Sequence, residues 1–255
     1  MAQNKSRTQQ LAQTITAIEK RWGTRAIHKA RELRVALVPP VLSTGFQRVD
    51  RALGIGGLPQ GKIVELIGFG TAGQVTLAAK TLRQAQRAGQ QVVYVDVDHA
   101  VDLDFLDRCG VSLDSLVVLR PSSFAHALEM TRDLLKEGGV GVIVFDRVHV
   151  PLLLAENGAF RQLDRALREW IPMLSRCLCS LIVLTETPSL NLYPSDSPLP
   201  YFASVRLFLE WQSWLYRRHR VTGFSSQVTI LKNRAGPPGQ SVPINITITN
   251  RIQSE

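Results

Sequence analysis

The residues best suited to chemistry are a nine-residue stretch, GFGTAGQVT from Gly68 to Thr76, and the acids that follow it. A phosphate-binding loop is built as Gly, four residues, Gly, Lys and then Ser or Thr. Gly68 and Gly73 keep the glycine spacing, but Gln74 takes the lysine position and Val75 that of the hydroxyl that would hold Mg²⁺. Backbone amides from Gly70 through Thr71 and Ala72 to Gly73, at the start of the helix that runs on through Gln74, Val75 and Thr76, can cradle a phosphate without a lysine. Loss of the cation and the metal ligand together is expected to lower phosphoryl-transfer turnover by on the order of 10³ or more.

Asp96, Asp98, Asp146 and Glu186 each stand at the end of an apolar, strand-like run. Ligands of open α/β sheets bind outside the carboxyl ends of the strands, so four acids and a glycine loop at such ends point to one site. Cations gather elsewhere. The stretch YRRHR carries Arg217, Arg218 and Arg220, with Trp211 and Trp214 just before it. Basic residues beside aromatics can grip a phosphate backbone and stack bases; a solvated hairpin tip over core tryptophans is the other reading.

Those positions need a scaffold, and the order of elements supplies one. KIVELIG, QVVYVDVD, LVVL, GVGVIVFD and CSLIVLTE are short β-branched runs, and helical patterns such as QVTLAAKTLRQAQRAG and SFAHALEMTRDLLKEG separate them. Alternation of this kind predicts an α/β fold with a mainly parallel central sheet covered by helices on both faces. Beyond Pro200 the longer runs SVRLFLEWQSWLY and SQVTILKN predict antiparallel strands extending that sheet. Ahead of it, Leu11, Ile15, Ile18 and Trp22 have helical spacing that Gly23 ends. The segment from Met1 to Arg34 carries eight Lys or Arg against two Glu. We place a basic helix and linker at residues 1–40, serving oligomerisation or a partner, and the core domain at 41–255. Ser43 and Thr44 are expected to cap the helix that follows the two prolines.

A chain of 255 residues with a formal charge of +9 favours an anionic partner. Cys109, Cys177 and Cys179 are too few and too irregularly spaced for a disulfide framework or a four-thiolate metal site; they read as buried thiols, and no metal site is assigned. No apolar run reaches the roughly 18 to 20 residues that span a bilayer, and the amino terminus lacks a signal-peptide core. A cytoplasmic protein with no membrane partner is expected.

The same residues resemble the RecA family of recombinases almost from end to end. GGLPQGKIVE, DHA.D, FASVRL and KNR recur in the family's order, and IEKRWGTRAI is similar to its subunit-contact segment, which assigns Ile18, Trp22 and Ile27 to an interface. The resemblance implies a RecA-like P-loop NTPase core that binds DNA and self-associates. It makes Asp98 the counterpart of the catalytic glutamate, one methylene shorter, and Asp146 the Walker B acid. It puts Glu186 at the nucleotide-switch position, with Asp102 and Phe105 beside the adenine and Lys232 and Arg234 reaching a neighbouring subunit's nucleotide. The loops matching the family's DNA-binding loops, HVPLLLAENGAFRQ and TPSLNLYPSDSPLP, are shorter and lack basic clusters, and the family's C-terminal domain has no counterpart before Glu255. In size and degenerate ATP site the chain is similar to the ImuA family of RecA-like mutasome components. Two functional classes are therefore carried. One is a recombination and repair accessory that binds DNA, with single strands favoured, or a RecA-family or lesion-bypass polymerase partner; ATP with Mg²⁺ is then bound weakly or not at all. The other is a divergent but active DNA-dependent ATPase.

Overall fold

The computed structural model describes residues 2–23, 27, 40–149, 158–187, 189–248 and 252–254. The chain divides into two compact units, Met1–Pro39 and Pro40–Glu255. In the first, helix α1 (Ala2–Trp22) ends at Gly23, whose amide bonds the Glu19 carbonyl at 2.8 Å with φ +88°. That left-handed residue is the usual glycine stop of a helix. Trp22 is 68% exposed and Ile18 and Ile27 are half-buried, so the apolar side chains of this segment are incompletely covered within their own unit.

The second unit carries, in order, β1 (Val41–Leu42), α2 (Gln47–Ala52), β2 (Leu58–Pro59), β3 (Ile63–Gly68), α3 (Gln74–Arg87), β4 (Gln91–Asp96), α4 (Leu103–Cys109), β5 (Leu116–Leu119), α5 (Phe124–Glu137) and β6 (Val140–His149). There follow α6 (Ala159–Cys177), β7 (Ser180–Glu186), α7 (Leu199–Phe202), β8 (Val205–Arg217), β9 (Arg220–Asn233), β10 (Ser241–Ile248) and β11 (Ile252–Ser254). A 9-stranded sheet runs β11-β10-β9-β8-β3-β7-β6-β4-β5. From β8 to β5 neighbours are parallel, and from β8 to β11 they are antiparallel.

Alternation within the buried strands sorts the core onto the two faces. Val142 and Val144 of β6 join α3 and α4 in one apolar cluster, while Ile143 and Phe145 join α5 and α6 in the other. Continuous apolar strands are what a sheet covered on both faces requires. One local expectation fails: Phe46, not Ser43 or Thr44, occupies the N-cap position of α2 and provides no side-chain cap. Asp50 instead reaches back from the helix, accepting from Ser43 Oγ at 2.6 Å and from Thr44 N at 2.9 Å. The carboxylate satisfies the incoming chain, so the hydroxyls serve the turn and not the helix end. No helix of the described residues is long and apolar enough to cross a membrane.

Candidate functional site

β3 is buried along all six residues and delivers Gly68 at its carboxyl end. The turn that follows needs glycine twice, with φ +55° at Gly70 and +100° at Gly73. A Cβ at Gly73 would stand 2.7 Å from Ile246 Cδ1, so the start of α3 lies against β10 with no room for a side chain. Leu77 N donates to the Gly73 carbonyl at 2.9 Å, locking loop to helix.

Gln74 folds back into the loop it follows. Its side chain is 7% exposed, and Nε2 donates to the Gly70 carbonyl at 3.2 Å. Oε1 lies where a Gly68 Cβ would come within 2.7 Å of it, and has no hydrogen-bond partner among the described residues. Val75 packs against the apolar cluster beneath α3 and Thr76 is buried, while Thr71 faces solvent. The loop interior is therefore filled by an amide where the loop pattern has a lysine.

Gly68 is the register partner of Glu186 across β3 and β7, which brings that carboxylate to the loop. Glu186 Oε1 accepts from Gly70 N at 3.4 Å. Its Oε2 pairs with Arg147 Nη1. Arg147 is the hub: Nε stands 3.4 Å from Asp146 Oδ1 and 4.0 Å from Asp98 Oδ2. A β-bulge makes this possible. The β6–β7 register slips between Asp146 and Val148, leaving Arg147 as the extra residue, and bulges re-aim side chains beside functional sites.

The electrostatics follow from burial. Desolvation pushes the Asp146 carboxyl above its ordinary range, although a hydrogen bond from Tyr94 and the charge of Arg147 oppose it. Tyr94 Oη donates to Asp146 Oδ2 at 2.5 Å, and burial followed by that carboxylate drives the phenol well above its usual value. Burial works against the Arg147 charge, yet Asp146 and Glu186 outweigh it and hold the guanidinium up. Asp96 stays outside this knot. It is 1% exposed and accepts from Ala100 N at 2.9 Å, Val101 N at 3.2 Å and Arg120 Nε at 3.3 Å, pinning the turn after β4.

Loop, Asp98, Asp146 and Glu186 thus converge, whereas the remaining site residues have separate local partners. Asp102 caps α4 by accepting from Phe105 N at 2.9 Å, and Phe105 packs on the core. Lys232 Nζ donates to the Pro200 carbonyl at 2.7 Å and the Tyr201 carbonyl at 3.0 Å, and Arg234 Nη2 to the Tyr201 carbonyl at 2.7 Å. Both cations are spent on α7 of their own chain. At the β8–β9 hairpin, Arg217 faces Arg220 and the turn is Arg218 and His219, with φ +48° and +65°. Trp211 and Trp214 are 41% and 44% exposed, not core residues, and meet edge-to-face at 5.6 Å. The register shift between Trp211 and Ser213 puts residues three apart on one face of the strand. Residues 150–157 of the first loop matched to a DNA-binding loop lie outside the described residues.

Arg147 as the hub, Tyr94 beneath it and Glu65 were not singled out from the sequence. Glu65 is fully buried in β3 and accepts from Thr185 Oγ1 at 2.8 Å, Tyr193 Oη at 2.6 Å and Arg206 Nε at 2.5 Å. This network ties the segment after β7 to the sheet. A lone acid inside the apolar run KIVELIG was the available signal, since a buried charge requires partners.

A mostly parallel sheet with helices on both faces, a glycine loop after its first long strand and acids at neighbouring strand ends define a P-loop-type core. The RecA N-terminal domain matches residues 9–253. Protein RecA of Blastochloris viridis is 31% identical over 258 residues, covering 94% of this chain and 74% of the relative. Protein RecA of Chloroherpeton thalassium is 32% identical over 255 residues, with 93% and 71% covered. The chain belongs to the RecA family, and its core is RecA-like.

Proposed function

We propose that this protein is a RecA-like accessory of DNA recombination and repair that binds single-stranded DNA and a protein partner, with ATP hydrolysis weak or lost. What carries the reading is the interior of the loop. A triphosphate with Mg²⁺ needs free loop amides, a cation and a metal-binding hydroxyl. Here the Gly70 amide already donates to Glu186, the Gln74 amide fills the cation's place and Val75 packs on the core. The residues present do not fit the group, and no catalytic step is assigned to it. ImuA-like mutasome components, to which the chain is similar in size, fit this description, and a RecA-family protein or a lesion-bypass polymerase is the expected partner.

DNA contact is assigned to the β8–β9 hairpin, where Arg217, Arg218 and Arg220 are exposed beside Trp211, Trp214 and Tyr216. Phosphate contacts make affinity fall with salt, and exposed aromatic faces stack bases without sequence preference. The decisive experiment measures phosphate release with and without single-stranded DNA, alongside calorimetry with ATP. Rates at background and no micromolar binding are expected. DNA-stimulated release that Asp146→Asn abolishes would establish the active ATPase instead.

A further inference from the structure

Away from the strand ends, α5 and α6 pack side by side and leave an open cleft of about 600 Å³ floored by Leu128, Ala166 and Trp170, with Arg132, Arg161 and Arg165 at its rim. Arg132 and Glu169 also line an adjoining cavity of about 750 Å³ that reaches Lys136 and Arg176. The two make one groove along the helix pair. Trp170 is 1% exposed and closes the floor of the cleft with its ring.

The charges point the same way. Arg132 already pairs with Asp133 at 3.2 Å, and Arg168 pairs with Asp164 at 2.8 Å, so these helices make ion pairs where acids are in reach. Arg161 and Arg165 make none among the described residues. They are four apart on one helix face, an arrangement of like charges that costs a few tenths of a kcal/mol in isolation. Glu129 and Glu169 also line the groove but do not close onto them.

We propose that this groove seats an acidic segment of a partner protein. An apolar side chain of that segment lies over Leu128 and Ala166, and its carboxylates meet Arg161 and Arg165. Nucleic acid is the poorer occupant, because the groove's one aromatic, Trp170, is buried, whereas base stacking needs an open ring face. A second copy of the basic arm is poorer still, since its charge has the same sign as the rim. The inference gives the proposed partner a seat and uses neither the ATP nor the DNA argument, so its failure leaves both standing.

The test is fluorescence anisotropy of the full chain with a labelled 16-residue peptide carrying Leu at helical spacing and Glu elsewhere. The same peptide with Lys for Glu and a labelled oligo(dT) serve as controls. The acidic peptide is expected to bind, and Arg161→Glu with Arg165→Glu to weaken it by about tenfold or more with an unchanged thermal melt. Oligo(dT) binding of that variant is expected to stay as it was. Equal binding of the acidic and basic peptides overturns the proposal, as does indifference to charge reversal. Loss of oligo(dT) binding instead makes the groove a nucleic-acid surface, and a fall in oligomer mass by light scattering makes it a self-association surface; either result refutes the peptide seat.

Discussion

Replacing Glu186 by Gln should admit a phosphate to the loop. The carboxylate now does two things: Oε1 accepts from Gly70 N at 3.4 Å, and Oε2 holds Arg147. A phosphate seated on the loop amides would take the place of Oε1 and stand near the carboxylate's charge. At an effective dielectric near 20, unit charges about 6 Å apart repel by about 3 kcal/mol, which is two decades in affinity and the ceiling of the effect, because Arg147 offsets part of the carboxylate's charge. Gln keeps the shape and an acceptor for Gly70 while removing that repulsion, although Gln74 still crowds the loop. A gain of about 10- to 100-fold for pyrophosphate is therefore expected by calorimetry. The stability loss should be modest, because Arg147 keeps Asp146 at 3.4 Å and is 31% exposed; about 1 kcal/mol, or a few degrees in melting temperature, follows. An intact variant whose pyrophosphate affinity matches wild type would show that Glu186 does not guard the loop.

Three further outcomes are expected. Arg218→Asn with His219→Gly should raise stability by about 1 kcal/mol, since both central residues of the turn have positive φ; the same change should lower the slope of log affinity for oligo(dT) against log salt by about one, and an unaltered slope would remove the turn from the DNA surface. Cys177, half-buried at the end of α6, has its thiol held down to about 6, chiefly by the neighbouring Cys179 thiol, against an ordinary value of 9.0. Iodoacetamide labelling should thus rise with pH through about 6 at Cys177 alone, read by mass spectrometry. The thiolate's stabilising contribution, fully present above the ordinary value, is lost as pH falls through about 6. Glu65→Leu should lower stability by about 3 to 5 kcal/mol, because it strands Arg206, whose side chain is 13% exposed, without its buried partner; a melt within two degrees of wild type would contradict the ion pair.

The sheet was legible because its strands are short, β-branched and bounded by glycine or acids, and KIVELIG or CSLIVLTE admit no other element of that length. The glycine loop and the convergence of Asp98, Asp146 and Glu186 were legible for the same reason, since strand ends in a parallel sheet share one edge. Arg147 was not. Its position depends on a one-residue slip between β6 and β7, and a bulge leaves no mark in an apolar run. For the tryptophans two readings stayed open, exposed beside the basic tip or buried in the core, for a related reason: strict alternation puts Trp211 and Trp214 on opposite faces, and only the register shift after Trp211 brings them together in solvent. The Ser43–Thr44 pair was read as the cap of α2 because nothing in the sequence shows that Asp50 reaches back to take their hydrogen bonds.

At the strand ends the protein supplies from within what a nucleotide complex would bring from outside. Carboxylates gathered at one edge of a sheet repel one another unless a cation sits between them, and in phosphoryl-transfer sites a metal ion supplies that charge. Here Arg147 stands among Asp98, Asp146 and Glu186. A loop of backbone amides likewise attracts an anion, and Glu186 is already on Gly70. Each substitution makes the other useful: the carboxylate on the loop is tolerable because Arg147 neutralises it, and Arg147 is held by the acids that a metal would otherwise bridge. On the proposed reading the edge is stable without ligand, so no nucleotide cycle is available to drive change elsewhere. Binding partners must then act through surfaces whose charges remain unspent, and among the described residues the hairpin arginines and the α5–α6 groove are two such surfaces.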